Sequence, residues 1–324
     1  TMTIRDPRAD RRVGYARTLV DQGDLAGALS LLEQTLELTP DWPELFILVG
    51  ETQAKLGLRD EAVDSFRRYL DISDVDRHGA MLHLALLGAA PPPDSPQTPY
   101  VEALFDDCAH RFDRSLLQDL GYQGPALIAE AVGAEPGGLG SVLDLGCGTG
   151  LVGERLRRTC SWLDGVDLSA GMLEKARAKM IYDELHQADL LTFLFEPPRL
   201  YDWIVAGDVL NYVGALDQAM TGISMALRSG GRAVFTVEAL ETKGAAESEV
   251  LRLLPTLRYG HSAAYVRAIA AEARLSVIAQ RTETLRLEAG KPLTSYLFTV
   301  ERPAAGTTPK LGPSDLDPEP RISS

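Results

Sequence analysis

The stretch Val142-Leu143-Asp144-Leu145-Gly146-Cys147-Gly148-Thr149-Gly150 limits what this chain can fold into more than any other. An apolar run ends in three glycines at alternate positions, and Leu151-Val152-Gly153-Glu154-Arg155-Leu156 follows with helical potential. Such a pattern predicts a buried strand, a tight turn and a helix opening directly from it. Glycine suits the turn because the backbone there takes conformations closed to other residues and a ligand must approach it closely. No lysine follows the loop, so it is not a Walker phosphate loop, and its G-x-G-x-G spacing differs from the G-x-G-x-x-G of dinucleotide folds. Asp167, in Gly165-Val166-Asp167-Leu168-Ser169, stands 21 residues after Gly146 at the expected end of a second strand. A carboxylate there can accept hydrogen bonds from both hydroxyls of a ribose.

The pair VLDLGCGTG and GVDLS resembles the signature of class I S-adenosylmethionine (SAM) dependent methyltransferases. The resemblance implies an α/β fold, a doubly wound, seven-stranded, mostly parallel Rossmann-like sheet, with SAM as cofactor. Strands are expected at Ser141–Leu145, up to Asp167, up to Gln187, at Trp203–Ala206, and from the Gly230-Gly231 turn to Glu238. Leu275–Arg281 and Ser295–Glu301 would form the antiparallel hairpin that ends the sheet in this family. The loop residues Asp144, Gly146, Cys147 and Gly148 would cradle the cofactor, and Asp167 with Leu168 would meet its ribose. By place in the pattern, Asp189 would meet the adenine amine and the Leu190 amide a ring nitrogen, although an Asp there also serves as a helix cap. Met172 is placed either to touch adenine or to pack the core, with Ser169 capping its helix. Gly207 closes the fourth strand.

Helices over Tyr100–Asp113 and near Tyr122 would form a lid, carrying Phe105, Phe112 and Tyr122. In the family such a lid closes over cofactor and substrate, which puts Tyr122 in the site, or else in the packing beneath it, and gives Arg111 the cofactor carboxylate to reach. The tip of the fourth strand would lie beside the methyl group, so Asp208, Asn211 and Tyr212 can orient an acceptor or take its proton; for Asp208 a helix cap is the competing role. Glu238 ends the fifth strand towards the same pocket. Arg258-Tyr259-Gly260-His261-Ser262 is richer in polar groups than a connector requires. His261 can take a proton near neutral pH or be a structural histidine, with Tyr259 beside it.

From about Val13 to Leu87 the pattern is helical and repeats: Gly23 and Gly57, Ala28 and Ala62, Leu32 and Phe66, and Leu36 and Leu70 are each 34 residues apart. That period resembles a tetratricopeptide repeat, a helix-turn-helix unit. Two units and one further helix are few for a free-standing solenoid, so the module is expected to lean on the α/β domain. It would bind a peptide or protein partner, self-associate, or act as a structural cap. The expected division is 1–90 helical module, 91–99 proline-rich linker, 100–302 methyltransferase domain with its lid, and 303–324 disordered tail. As a whole the chain is similar to bacterial predicted methyltransferases with N-terminal tetratricopeptide repeats, whose acceptors are poorly defined.

A net charge of −14 and the lack of a Lys/Arg cluster argue against a nucleic-acid partner. The three cysteines, Cys108, Cys147 and Cys160, have no metal-ligand spacing and fit a reducing cytoplasm. No apolar run is long enough for a bilayer span, so no membrane is expected. No divalent-metal triad is evident either. The leading reading is methyl transfer from SAM, with a small-molecule acceptor ahead of a protein one. A SAM-binding adaptor or a protein methyltransferase recruiting its partner through the repeats is the alternative. A nicotinamide-dependent dehydrogenase is disfavoured by the glycine spacing and the terminal hairpin.

Overall fold

The computed structural model describes residues 7–93, 97–114, 116, 120–133, 138–240, 250–288 and 290–304. The expected disordered tail lies almost wholly outside these residues, as do positions 94–96 of the expected linker.

Five helices open the chain: α1 (Pro7–Asp21), α2 (Leu25–Leu38), α3 (Pro43–Lys55), α4 (Arg59–Ile72) and α5 (Ala80–Leu86). The turns between the pairs α1/α2 and α3/α4 hold Gly23 and Gly57 at φ +84° and +78°, a left-handed backbone that glycine adopts without steric cost. Asp24 caps α2 by accepting the Gly27 N–H at 2.9 Å. The repeat positions Ala28, Ala62, Leu32 and Phe66 are all buried, so the 34-residue period records helix packing. Asp76 fastens α5, accepting the N–H groups of Ala80 and Met81, each at 2.9 Å.

The α/β part begins with α6 (Thr98–Cys108), a single turn α7 (Phe112–Arg114) and α8 (Gly124–Val132). Strands and helices then alternate: β1 (Ser141–Leu145), α9 (Leu151–Leu156), β2 (Trp162–Asp167), α10 (Ala170–Ala178), β3 (Glu184–Gln187), α11 (Leu190–Phe195) and β4 (Tyr201–Ala206). After α12 (Asp217–Ala226) come β5 (Leu227–Ala239), β6 (Leu251–Leu253), β7 (Tyr259–His261), α13 (Ala263–Glu272), β8 (Ser276–Glu288) and β9 (Lys291–Glu301). Strands β1 to β5 pair in parallel in the order β3-β2-β1-β4-β5. β9 runs antiparallel along β5, and β8 antiparallel along β9.

Among the described residues the sheet has nine strands where the sequence implied seven. The additional pair is β6 and β7, a short antiparallel ribbon whose second strand runs parallel to the last residues of β5, Glu238 opposite Gly260 and Ala239 opposite His261. It lies past the tip of β4, on the edge of β5 that β4 occupies lower down. The terminal hairpin is also longer than expected, its first strand reaching Glu288.

Two apolar cores lie on opposite faces of the sheet. One joins Leu143, Leu145, Ile204 and Phe235 to α12 and α13; the other joins Val142, Trp203 and Val234 to α8 and α9. A third cluster ties the helical module to this unit: Leu82 of α5 packs with Leu253 of β6 and Tyr259 of β7, beside Tyr100 of α6. The module therefore leans on the α/β unit through the added ribbon.

Candidate active site

A continuous cleft opens at the carboxyl ends of β1, β2 and β4, where ligands bind in open α/β sheets. Its main lobe encloses about 350 Å³, and a smaller lobe of about 60 Å³ shares Phe105, Gly146, Asp167, Val209 and Tyr212 with it. The main volume lies in the range of small-molecule sites, ~300–1,000 Å³.

The glycine loop forms the floor. Gly146, Gly148 and Gly150 take φ of +67°, +53° and +92°. Gly146 is also needed sterically, because a Cβ there would lie 2.4 Å from Val209 Cγ2. Below the loop, Asp144 is buried and accepts the Tyr182 hydroxyl at 2.7 Å; burial pushes its carboxyl up to about 7. Asp144 supports the turn and does not line the cleft, whereas Cys147 and Gly148 do.

Asp167 sits where the two lobes meet. Its Oδ2 accepts the Gly148 N–H at 2.8 Å and its Oδ1 the Ser169 N–H at 2.9 Å. Burial raises its pKa in spite of these donors. An ionised carboxylate offers about four acceptor sites, so both oxygens keep lone pairs for a ligand. This half-buried, under-used acceptor fits a ribose diol. The small lobe continues from it past Leu168 to Asp189 and Leu190. Asp189 caps α11, its Oδ1 accepting the N–H groups of Leu191 and Thr192 at 3.0 and 3.1 Å. The Leu190 N–H, in the first turn of that helix, has no intrahelical acceptor. Apolar walls at Val101, Leu168 and Val213 suit a flat ring.

Met172 is fully buried in the core and does not line the cleft, which corrects its expected contact with adenine; Leu168 supplies the apolar wall instead. Arg111 is exposed and also stands outside the cleft. Tyr122 is buried and lines the main lobe, its phenol raised by burial.

The lid rests on the cleft through α6. Phe105 makes edge contacts with Phe112 and Tyr212, ring centroids 5.9 and 5.3 Å apart. Asp106 accepts the Ser169 hydroxyl and, at 3.0 Å, the Gly171 N–H. Asp113 accepts the Thr149 hydroxyl and pairs with Lys179 at 3.1 Å.

At the other end of the main lobe are Gly207, Asp208, Tyr212, Arg258, Arg286 and Glu288. Asp208 takes a left-handed backbone, φ +58°; its N–H donates to Thr236 Oγ1 at 2.8 Å and its carboxylate pairs with Arg286. Asn211 Nδ2 donates to Asp208 Oδ1 at 3.1 Å. Burial pushes the Tyr212 phenol up to about 12, against the pull of nearby Arg258.

Three expected acceptor-handling residues are elsewhere. His261 is fully buried, its Nε2–H donating to the Gly214 carbonyl at 2.6 Å, and burial lowers its pKa to about 4. It stays neutral and structural because β7 is buried along its whole length. Tyr259 packs against Gly214 and Leu82. Glu238 is buried behind Arg258, accepting its Nε–H at 2.9 Å.

The cations that sequence reading missed are Arg258 and Arg286. Arg258 was visible only as one polar residue among several. Arg286 was hidden because a bulge between Thr284 and Arg286 buries both Leu285 and Arg286, breaking the two-residue alternation of the strand. A separate acidic group, Asp164 with Glu184 and His186, already holds Arg199, 3.2 Å from both Asp164 and Glu184.

The order β3-β2-β1-β4-β5 followed by the reversed strand β9, and the glycine turn under an end-of-strand cleft, define the class I methyltransferase fold. Residues 143–233 match the family described as a methyltransferase domain. Among characterised proteins, the chain is similar to trans-aconitate 2-methyltransferase of Paracidovorax citrulli, 35% identical over 92 residues, which is 28% of this chain and 35% of that protein. It is also similar to malonyl-[acyl-carrier protein] O-methyltransferase of Erwinia pyrifoliae, 29% identical over 129 residues, 39% of this chain and 49% of that one. The chain thus spans between a third and a half of the length of these curated relatives. A solved N-methyltransferase, NodS of Bradyrhizobium japonicum with S-adenosylhomocysteine (SAH), aligns at a TM-score of 0.48 and 19% identity, covering 63% of this chain and 98% of that one.

Proposed function

We propose that this protein is a SAM-dependent methyltransferase acting on a small-molecule acceptor. The observation that carries the reading is Asp167: a half-buried carboxylate with spare lone pairs, joined to the glycine loop and placed where the two lobes meet. SAM supplies a methyl group on a sulfonium, which departs as a neutral thioether and needs no acid. In this reading the chain's residues bind and align. Gly146 and Gly148 let backbone approach the ligand, Asp167 holds the ribose, and Asp189, Leu168 and Leu190 enclose the adenine. Phe105 and Tyr122 exclude water, while Asp208, Tyr212, Arg258 and Arg286 arrange the acceptor. Alignment of nucleophile, methyl carbon and sulfur is the main requirement of such a displacement.

The similar proteins named for trans-aconitate and for malonyl-acyl-carrier protein favour a small acid or its carrier-bound form as acceptor. The helical module, residues 1–90, is read as tetratricopeptide-like and primarily as a support for the domain spanning 100–302, because α5 packs on the ribbon beside the cleft. Free cysteines at 108, 147 and 160 suit a reducing cytoplasm. Among the described residues no helix is long and apolar enough to cross a membrane.

Calorimetric titration of SAM and SAH into wild type and Asp167→Ala tests the reading. Wild type should bind both. The variant should lose about 1.5–3 kcal/mol, the worth of hydrogen bonds to a charged group. Equal affinity in the two proteins would remove Asp167 from the cofactor site.

A further inference from the structure

We propose that the acceptor is a small polycarboxylic acid: one carboxylate seats between Arg258 and Arg286, where Glu288 now sits, and a second receives the methyl group. This rests on the methyl-transfer reading above.

The argument begins with a count of charges. Two guanidiniums, Arg258 and Arg286, line the acceptor end of the cleft, and their side chains are only 10% and 6% exposed. Three carboxylates meet them. Glu238, 8% exposed, pairs with Arg258 Nε at 2.9 Å, and Asp208, 18% exposed, pairs with Arg286. These two already balance the two cations. Glu288 is the surplus carboxylate: it contacts Nη2 of Arg258 and lies 3.8 Å from Nη2 of Arg286. It is also the most exposed of the three, at 34%, and it is the last residue of β8, at the turn end of the terminal hairpin, opposite Lys291.

Glu288 can therefore leave while its partners stay. Exchanging it for a carboxylate of the acceptor keeps the number of charges on the arginines constant, so no buried guanidinium loses its counter-ion. Arginine's fork of N–H donors matches a carboxylate. Glu288 thus occupies the seat as an internal stand-in, and its side chain marks the ligand's chemistry.

The absence of a usable base points the same way. Among the described lining residues there is neither histidine nor lysine. Burial raises the phenols of Tyr122 and Tyr212, and Asp208 and Glu288 are held in ion pairs. An alcohol or ammonium acceptor has to lose a proton on transfer. A carboxylic acid has already lost it at neutral pH. In the step, a carboxylate oxygen attacks the methyl carbon of SAM. The C–O bond forms as the S–CH3 bond breaks, with the electron pair passing to sulfur. A methyl ester and neutral SAH result, and no proton is released.

The test uses the full chain loaded with SAH. It is titrated with succinate, with trans-aconitate and, for opposite charge, with putrescine. At least one acid should bind and the diamine should not. Glu288→Gln, a conservative change at a half-buried position, should tighten the acid about three- to tenfold by removing the competing charge from the seat, and Arg286→Lys should weaken it about tenfold or more. Retained SAH binding shows that each variant is folded, and Glu288→Gln alone decides the matter if Arg286→Lys does not fold. With methyl-labelled SAM, the acid that binds should become an alkali-labile ester. Binding of SAH without either acid overturns the proposal, as does weaker acid binding in Glu288→Gln, or putrescine binding that this variant abolishes. Failure to bind SAH itself removes the methyl-transfer reading and this inference with it.

Discussion

Asp208 at the tip of β4 and Arg286 in β8 form an ion pair across 78 positions of sequence, and Asp208 makes it from a left-handed backbone at φ +58°. Aspartate tolerates that region better than most residues, and such strain collects at functional sites. The pair fixes the strand tip to the terminal hairpin and neutralises a guanidinium that is almost wholly buried.

Removing the carboxylate should therefore be costly. Asp208→Ala leaves Arg286 with only Glu288, 3.8 Å away, and puts an alanine at positive φ, with an expected loss of about 2–4 kcal/mol. Asp208→Asn keeps the backbone preference and an acceptor oxygen, so it should lose less. Urea unfolding midpoints of the three proteins check the order.

Gly146→Ala combines a strained φ with a Cβ placed 2.4 Å from Val209 Cγ2. We expect a loss of roughly 2–4 kcal/mol. Val209→Ala in the same chain should recover the steric part only, which a double-mutant cycle measures.

Much of this architecture was legible in the sequence. The strands ending at Leu145, Asp167 and Ala206, and the Ser169 cap, follow from apolar runs that meet glycine or a capping side chain. What stayed hidden was made by tertiary pairing. The ribbon β6/β7 exists because the end of β5 extends past β4 and leaves an edge free, which no local pattern records. His261 looked chemical beside Arg258 and Tyr259, yet the pairing that forms β7 buries it completely. Arg286 lies in a run of alternating charges that reads as a solvated face until the bulge turns it inward.

His261 also predicts a pH dependence. Its pKa falls from 6.5 to about 4 on folding, through burial. The unfolded chain then binds more protons between these values, so the contribution is complete above 6.5 and declines as pH falls towards 4. Between pH 7.5 and 5 it should cost about 2 kcal/mol. His261→Asn, which keeps a donor for Gly214, should lack this part of the acid destabilisation in paired urea titrations.

Leu82 is 2% exposed between α5 and the ribbon. Leu82→Ala should destabilise by about 2–4 kcal/mol, as for a large-to-small change in a core. Thermal unfolding by circular dichroism would register this directly, and an unchanged midpoint would mean that the module does not support the α/β unit.

The lid helix α6 has no fully buried residue, so its position depends on a few contacts. Asp106→Ala removes the acceptor for Ser169 and Gly171 and should free the helix by roughly 1–2 kcal/mol. Faster amide hydrogen exchange across 98–108 and quicker release of SAH are the expected readouts.

The methyltransferase-domain match ends at residue 233, whereas Arg258, Arg286 and Glu288 all come later in the chain. The half of the cleft assigned to the donor and most of the charged half assigned to the acceptor are thus encoded in consecutive, non-overlapping stretches. That arrangement makes specificity transplantable. Exchanging everything after β5 between two such proteins would leave the donor seat in place and give it a different clientele.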